Sequence, residues 1–375
     1  MAFSFEIRHR SKKSSARTGV ISTPHGDIHT PNFVPVATNA TLKAVDNIML
    51  SQQQAELVFC NTYHLALHPG GDVIEKAGGL QRFASRNAPI ITDSGGFQVF
   101  SLAYGSVANE LKSKGTKQTG NTVCKITEEG VTFRSYRDGS VFRLTPESSV
   151  QIQKQLGADI IIPLDELPPF HCDPSALMHS FQRTHRWQMR SLRTHQANTK
   201  QQAMYAVVHG GVDKDLRQES CRRLSEASFD GFAVGGSLGR NTDDLYQVLS
   251  YCQGHLPEEK PRHLLGIADL AGIDVGIMHG MDTFDSCYPC RIARHGALIT
   301  KQGKLKITAT RYKEDFTPIE PDCSCWCCKH YTKAYLHHLF KAKEPTALTL
   351  ATLHNTQAMF DAFKRIRMAI EKDQL

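Results

Sequence analysis

The sequence predicts a closed (β/α)8 barrel of the TIM-barrel type, and three observations support that fold class. Eight short, nearly continuously apolar runs recur along the 375 residues, and stretches with helical periodicity follow most of them. Continuously apolar runs are typical of strands that are buried on both faces of a parallel sheet. Eight alternations of strand and helix favour a sheet that closes on itself. The eight runs are PNFVPVAT, ELVFCNTYHL, APIITDSGG, ADIIIPLDE, MYAVVHGG, GFAVGGS, RHLLGIAD and MDTFDSCYP.

Two β-hairpins and one inserted segment are predicted outside the alternating pattern. The first hairpin lies near the N-terminus and turns at residues 24–27 (PHGD). The second hairpin covers Gly130–Leu144 and turns at Asp138-Gly139, because Asp-Gly between alternating residues is a strong hairpin signal. The polar segment Ala103–Ile126 carries four lysines among Gly, Ser and Thr, and is predicted to be a flexible surface insertion.

The C-terminal part is predicted to leave the barrel and then return to it. We expect a catalytic barrel over residues 1–320, a zinc-binding subdomain over 321–354 and a final barrel helix over 355–375. Asn355 is a candidate N-cap for that helix. The helix carries one apolar stripe, formed by Met359, Phe363, Ile366 and Ile370.

A zinc site is predicted in this subdomain. Cys323, Cys325 and Cys328 form a C-x-C-x-x-C motif, and His354 follows 26 positions after the last cysteine. Three thiolates and one imidazole complete a tetrahedral site, and four protein ligands leave no open position, so the zinc is predicted to be structural. A reduced cysteine cluster without metal is the alternative, and Cys327 is a neighbouring thiol that could compete. The other candidate imidazoles are His330, His337 and His338.

Composition sets limits on location and partners. Hydrophobic residues make up 40% and charged residues 22% of the chain, as in ordinary globular domains. No apolar run reaches about 18 residues, so no membrane span is expected, and the N-terminus lacks a secretory signal pattern. Eleven cysteines in such a chain favour a reduced, cytoplasmic setting. A net charge of +7 suits a polyanionic partner without proving one.

Acidic residues follow several of the predicted strands. Asp93, Asp165, Asp269 and Asp285 each lie at or near the end of an apolar run. In a barrel the carboxyl ends of the strands gather on one face, where active sites lie. The alternative is a set of ordinary strand-to-helix turns, but four converging carboxylates favour function.

Several motifs together resemble the bacterial-type queuine and tRNA-guanine transglycosylases. They are TDSGGFQVFSL from Thr92, NTYHL from Asn61, the Gly235-Gly236 pair, FDSCYPCRIARHG from Phe284, and the C-x-C-x-x-C motif with its distant histidine. The resemblance covers nearly the whole chain. It implies an enzyme that exchanges the wobble guanine of GUN-type tRNAs for a 7-deazaguanine, either 7-aminomethyl-7-deazaguanine or queuine.

The resemblance implies a division of labour between two aspartates. Asp285 would attack the ribose C1′ as nucleophile, and Asp93 would act as general acid and base on the leaving and incoming bases. This is the logic of a retaining glycosidase, with a purine instead of water resolving the covalent intermediate. Structural zinc is the one cofactor implied, and no organic cofactor is needed.

Further residues carry over as substrate contacts. Asp165 would recognise the Watson–Crick edge of the base, Phe97 would stack on it, and Gly236 would allow close approach of the base to the backbone. The remaining base contacts implied are Ser94 and His209. The anticodon stem-loop would be held by Arg291 and Arg294, with a basic surface formed by Lys301, Lys304, Lys306, Arg311 and Lys313.

Three departures from the family pattern lie where the 7-substituent of the base should point. His209-Gly210 stands in place of Gln-Gly, Ser237–Arg240 in place of a loop ending in Gly-Glu, and Gly266–Asp269 in place of Gly-hydrophobic-Gly. An arginine at position 240 cannot recognise an aminomethyl group by charge. The sequence therefore predicts an altered preference for the incoming base, with queuine as one possibility.

Three alternative functions compete with this one, and the resemblance also implies an oligomeric state. A catalytically inactive tRNA-binding accessory subunit is expected to lose a carboxylate, whereas Asp93 and Asp285 are both present. The archaeal type carries extra C-terminal domains that are not seen here, and an unrelated barrel glycosidase does not account for Asp165 and the arginine pair. Homodimerisation is a family expectation, with the helix after the zinc motif supplying the surface.

Overall fold

The computed structural model describes residues 3–104, 123–135 and 137–375. Its strands form one eight-stranded sheet and three small antiparallel sheets. In chain order they are β1 (Ser4–Arg10), β2 (Arg17–Thr23), β3 (Gly26–Thr30), β4 (Asn32–Pro35), β5 (Val58–Cys60), β6 (Ile90–Thr92), β7 (Val123–Ile126), β8 (Val131–Arg134), β9 (Val141–Leu144), β10 (Ile160–Ile161), β11 (Ala203–Val208), β12 (Gly231–Val234), β13 (Arg262–Leu264), β14 (Thr283–Ser286), β15 (Ala297–Thr300) and β16 (Gly303–Lys306).

The predicted barrel is confirmed, because each of the eight apolar runs contains one strand of the large sheet. The strands are parallel and lie in the order β4-β14-β13-β12-β11-β10-β6-β5. A parallel bridge between Val36 and Phe59 joins the two outermost strands, so the sheet closes on itself. Every residue of these eight strands is buried, as continuously apolar strands require.

Helices follow the barrel strands and cover their outer face. They are α1 (Asn47–Gln52), α2 (Thr62–Leu67), α3 (Gly71–Lys76), α4 (Leu80–Phe83), α5 (Gly96–Tyr104), α6 (Pro146–Leu156), α7 (Pro174–Gln196), α8 (Lys214–Ser225), α9 (Thr242–Cys252), α10 (Leu270–Met278), α11 (Tyr288–Arg294), α12 (Trp326–His330), α13 (Lys333–Ala342) and α14 (Pro345–Glu371). Within the described ranges, no helix is both long and apolar enough to cross a membrane.

The N-terminal hairpin closes one end of the barrel. β2 and β3 pair antiparallel around the predicted turn, and β1 adds a third strand that the sequence did not indicate. Ile21 and Ile28 of this sheet pack into the cluster that fills the barrel, together with Leu57 and Ala203 at the beginnings of their strands. The beginnings of the barrel strands are therefore covered, and their carboxyl ends remain available for a site.

The second predicted hairpin is also confirmed, with one additional strand. β8 and β9 pair antiparallel across the turn at Asp138-Gly139, and β7 adds to β8. Gly139 has a φ of 74°, the left-handed conformation that glycine adopts without strain. The predicted insertion begins inside α5 and ends in β7, and its central residues 105–122 lie outside the described part of the chain.

The start of the final helix was predicted wrongly. α14 begins at Pro345, whose fixed φ suits the first helical turn, and continues for 27 residues. Asn355 is therefore inside the helix and does not cap it. Its side chain accepts a hydrogen bond from the backbone N–H of Ile299 at 2.9 Å and donates to the carbonyls of Pro289 and Ala297, each at 3.0 Å. Asn355 therefore ties α14 to the segments at Pro289 and Ala297–Ile299, and this is why a polar residue stands inside the helix.

Candidate active site

Three of the four strand-end carboxylates are available for chemistry at the open end of the barrel, whereas the fourth caps a helix. Asp93 follows β6, Asp165 follows β10, and Asp285 is the third residue of β14. Asp269 instead accepts a hydrogen bond from the backbone N–H of Gly272 at 3.0 Å, and so caps α10. For that residue the structural interpretation is sufficient.

Asp93 is a buried carboxylate held by its neighbours along the sheet. Oδ2 accepts a hydrogen bond from Nδ2 of Asn61, and Oδ1 accepts one from the backbone N–H of Thr62, both at 2.7 Å. Burial raises the pKa of Asp93 to about 6, although these hydrogen bonds oppose the shift, and the negative charge of Asp165 adds to it. A carboxyl group with such a pKa exchanges protons readily near neutral pH.

Asp285 is held through one of its two oxygens. Oδ1 accepts hydrogen bonds from the backbone N–H of Gly266 at 2.8 Å and from Nε2 of His263 at 3.1 Å. The side chain of His263 is fully buried, while that of Asp285 is 10% exposed. His263 was not among the site residues predicted from the sequence. A histidine in the strand run RHLLGIAD, directly after Arg262, was the signal that could have found it.

Asp165 lies in a second polar cluster beside Asp93. Its Oδ1 accepts a hydrogen bond from the hydroxyl of Ser94 at 3.1 Å, and its Oδ2 lies 2.9 Å from Nε2 of His209. A side chain on Gly96 would collide with Asp165, so the second glycine of the TDSGG motif is required by this close approach. The structure thus brings together Asp165, Ser94 and His209.

The walls of this cluster come from two glycine-containing turns. Gly236 has a φ of 75°, and a Cβ there would lie 3.1 Å from Nδ1 of His209. Arg217, fully buried on α8 and missed in the sequence analysis, donates to the carbonyls of Gly211 at 2.7 Å and Ser237 at 2.9 Å. One guanidinium group therefore fixes the turns after β11 and β12.

Phe97 has an exposed ring beside this cluster, whereas Arg240 interacts with residues outside it. Phe97 is the second residue of α5, next to Gly96, and is exposed although it is a large apolar residue. Such a ring is available to stack on a planar ligand. Arg240 is engaged elsewhere, because its Nε lies 3.1 Å from Oδ2 of Asp244 and its guanidinium lies 5.3 Å from the centroid of the Phe170 ring.

A basic surface lies next to Asp285. Arg291 and Arg294 are on α11, which begins three residues after Asp285, and Arg291 is exposed. The guanidinium of Arg291 and the ammonium of Lys304 lie over the Tyr288 ring, at 6.0 and 5.0 Å from its centroid. The five further cationic residues named from the sequence are exposed: Lys301, Lys304, Lys306, Arg311 and Lys313.

The four predicted metal ligands converge in the C-terminal subdomain. Their ligand atoms lie within 4.8 Å of one another, and Nδ1 of His354 is 3.8, 3.6 and 3.3 Å from the sulfur atoms of Cys323, Cys325 and Cys328. Nε2 of His354 lies 2.9 Å from the carbonyl of Ile299. A proton on Nε2 leaves Nδ1 with its lone pair toward the thiols, which is the arrangement that a metal-binding histidine requires.

The other residues considered for the metal lie outside this cluster. Cys327 is buried, and burial raises the pKa of its thiol. His337 directs Nδ1 toward the carbonyl of Ile307 at 2.8 Å, and the His330 ring packs against Trp326. His354 was expected to lie just before the final helix, whereas it is an internal residue of α14.

Comparisons with known proteins point to one family. The family model described as "Queuine tRNA-ribosyltransferase" matches residues 11–375. A protein of that name from Protochlamydia amoebophila is 60% identical over 371 residues, which cover 99% of this chain and 96% of the relative. Proteins of the same name from Chlamydia trachomatis serovar L2 and Chlamydia felis are 54% and 50% identical over 376 residues, covering both chains completely.

Proposed function

Because the chain belongs to the queuine tRNA-ribosyltransferase family, we propose that it exchanges the wobble guanine of GUN-type tRNAs through a covalent tRNA-aspartyl intermediate. The chain is a tRNA-guanine transglycosylase, a transferase acting on tRNA. The observation that carries the proposed mechanism is the pair of differently held carboxylates, Asp93 and Asp285, at the carboxyl ends of two barrel strands. A tRNA substrate also argues for a cytoplasmic enzyme.

Asp285 is the proposed nucleophile. It attacks C1′ of the wobble ribose, and the C1′–N9 bond breaks with its electron pair leaving on guanine. The resulting ester conserves the bond for transfer to the incoming base, which then attacks C1′ from the face that guanine left. Two displacements at one carbon retain the configuration, as in retaining glycosidases.

Asp93 is the proposed general acid and base. With a pKa raised to about 6, its carboxyl group can protonate the departing guanine and later accept a proton from the incoming base. The hydrogen bonds from Asn61 and Thr62 hold the carboxylate in one orientation. No cofactor step is needed for either proton transfer.

Base recognition is assigned to the cluster beside Asp93. Asp165 can accept two N–H donors from the Watson–Crick edge of a guanine-like ring, and Ser94 and His209 hold its carboxylate. Phe97 is proposed to stack on the base, and Gly236 to let the base approach the backbone. The anticodon stem-loop is proposed to lie across Arg291, Arg294 and the basic surface of β15 and β16.

The incoming base is proposed to be queuine. The three sequence departures lie on the turns after β11, β12 and β13, and the first two meet where Gly236 lies against His209. Arg240 points to Asp244 and Phe170, so no acidic side chain from that loop is available for an aminomethyl group. A pocket without that charge favours a larger base over 7-aminomethyl-7-deazaguanine.

The Cys3His cluster is proposed to hold one structural zinc. The donor set, the spacing and the orientation of His354 fit that ion, and four protein ligands leave no site for a substrate. A homodimer is proposed through α13, the helix that follows the zinc motif, and the surface beside it. The support is a group of exposed aromatic side chains on and near α12 and α13, namely Phe316, Trp326 and Tyr335.

The direct test uses tRNA with a guanine at the wobble position. Wild-type protein and Asp285→Ala are incubated with this tRNA and resolved on a denaturing gel, and guanine exchange is measured in parallel. We expect a covalent adduct and exchange with the wild type only. Binding of tRNA without adduct or exchange by the wild type would instead support the catalytically inactive accessory subunit.

A further inference from the structure

The two oxygens of Asp285 have different surroundings. Oδ1 accepts two hydrogen bonds, from the backbone N–H of Gly266 and from His263. In the part of the chain that the structure describes, no protein donor reaches Oδ2. The carboxylate is therefore anchored by one oxygen, and none of the described residues donates a hydrogen bond to the other.

The ring of His263 is itself fixed from three sides. Nδ1 lies 2.8 Å from the hydroxyl of Thr283, and the ring stacks on Phe59 with centroids 5.9 Å apart and planes at 17°. The side chain is fully buried. A buried ring with both nitrogens engaged has little freedom to move, so its Nε2 can fix the position of whatever it contacts.

The strand register explains why these groups meet. His263 of β13 pairs directly with Thr283 of β14. Asp285 is two residues further along the same strand, so it points to the same face as Thr283. A carboxylate can only accept, so the ring must carry its proton on Nε2, and Nδ1 of a neutral ring then accepts from the Thr283 hydroxyl.

We propose that His263 is a positioning residue that anchors Oδ1 of Asp285, so that Oδ2 is the oxygen that attacks the ribose. The inference rests on the proposed function of Asp285 as nucleophile. Because the side chain of His263 is fully buried and contacts Oδ1, it acts through the carboxylate. Its N–H donor and that of Gly266 together select the attacking oxygen.

The same two donors serve both halves of the exchange. In the first half Oδ2 forms a bond to C1′ as the C1′–N9 bond breaks, and the electron pair leaves on guanine, which takes a proton from Asp93. Oδ1 then becomes the carbonyl oxygen of the ester and still accepts both hydrogen bonds. In the second half N9 of the incoming base forms a bond to C1′ and gives its proton to Asp93, while the C1′–Oδ2 bond breaks and its electron pair returns to the carboxylate.

The test compares two amides of different length. The amide of His263→Gln can reach the place of Nε2 and keep a donor at Asp285, whereas that of His263→Asn matches the place of Nδ1 and leaves Oδ1 without this donor. At saturating tRNA, we expect the single-turnover rate of adduct formation to fall about 10²-fold in His263→Asn, the scale of a misplaced reactive group. His263→Gln should recover most of that loss, and the dissociation constant for tRNA should be unchanged in both.

A matched control comes from another buried histidine. His279 bonds to Ser250 and to the carbonyl of Val275 and contacts none of the site carboxylates. His279→Asn should lower the thermal midpoint without slowing adduct formation. Thr283→Val supplies a second variant at the site, because it removes the partner of Nδ1 and keeps the His263 donor. Its adduct rate should fall measurably, because the ring loses the hydroxyl that holds Nδ1, but by less than that of His263→Asn.

Several results would overturn the inference. One is a wild-type adduct rate in folded His263→Asn, and another is an equal loss in the Gln and Asn variants. A loss confined to tRNA affinity would contradict it as well. If His263→Asn does not fold, a wild-type adduct rate in Thr283→Val is the contradicting result. Failure of the wild type to form any adduct would instead remove the proposed function, so the two failures are distinguishable.

Discussion

Asp93 at the mouth of the barrel and His354 in the C-terminal cluster are both buried polar groups, but their surroundings act on them in opposite ways. Burial raises the pKa of Asp93 to about 6 despite its hydrogen bonds, so its charged form is disfavoured in the folded protein. His354 has one nitrogen on the carbonyl of Ile299 and the other facing three thiols. The arrangement of its cluster is compatible with a structural metal ion.

The different surroundings of Asp93 and His354 fit different requirements, those of a proton-transfer group and those of a structural metal ligand. A proton-transfer group must be able to exist in two protonation states, so its surroundings cannot fully stabilise either one. A structural metal site has the opposite requirement, since each ligand must be fixed in a single state. In the proposed function, the first kind of group is Asp93 at a strand end, and the second is the Cys3His cluster, whose His354 ties α14 to β15.

The largest expected effect concerns the zinc cluster. Removal of the metal by a chelator, or Cys328→Ser, should strongly destabilise the C-terminal subdomain, because apparent zinc-binding free energies in small domains are about 10–16 kcal/mol. Thermal unfolding followed by circular dichroism, with metal content measured alongside, checks this. Cys327→Ser is the matched control, since that thiol lies outside the cluster, and it should retain the metal.

Unchanged unfolding and unchanged exchange after complete loss of the metal would contradict the ligand assignment. Loss of the metal in Cys327→Ser as well as in Cys328→Ser would contradict it too, because the two thiols would then be equivalent.

A smaller effect of opposite sign is expected at Asp93. Its folded pKa of about 6 lies above the ordinary value of 3.8, so the folded state holds the proton more tightly. The resulting loss of stability develops as pH rises from about 4 to 6 and is complete at pH 7. Asp93→Asn should therefore raise the free energy of unfolding at pH 7, by at most about 3 kcal/mol, while exchange is lost.

Urea unfolding of the wild type and Asp93→Asn at pH 4 and pH 7 measures this difference. The advantage of the variant should shrink at the lower pH. An equal advantage at both pH values, or full exchange by the variant, would contradict the assignment of Asp93.

The smallest expected effect concerns base choice. Exchange assays with queuine and 7-aminomethyl-7-deazaguanine should show a higher kcat/KM for queuine, by about tenfold if one polar contact decides, which corresponds to about 1.4 kcal/mol. Arg240→Glu should shift the ratio toward the aminomethyl base. Equal or better use of the aminomethyl base by the wild type would exclude an altered preference.

Much of the fold follows from local patterns in the sequence. The eight apolar runs, the turns at residues 24–27 and 138–139, and the cysteine spacing each depend on neighbours close along the chain, and the structure agrees with all three. The final helix shows the limit of such patterns. A proline at position 345 signals a helix start, but the polar pair His354-Asn355 resembled one equally well.

What the sequence determined alone is the set of elements and the chemical types at their ends: a parallel barrel, carboxylates after β6 and β10 and in β14, and three clustered thiols. The tertiary structure decided which of these groups meet. His263 reaches Asp285 because β13 and β14 are neighbours in register, and His354 reaches the thiols because α14 packs beside β15. Such contacts join residues far apart in the chain, and only closure of the barrel and packing of its helices fix their distances.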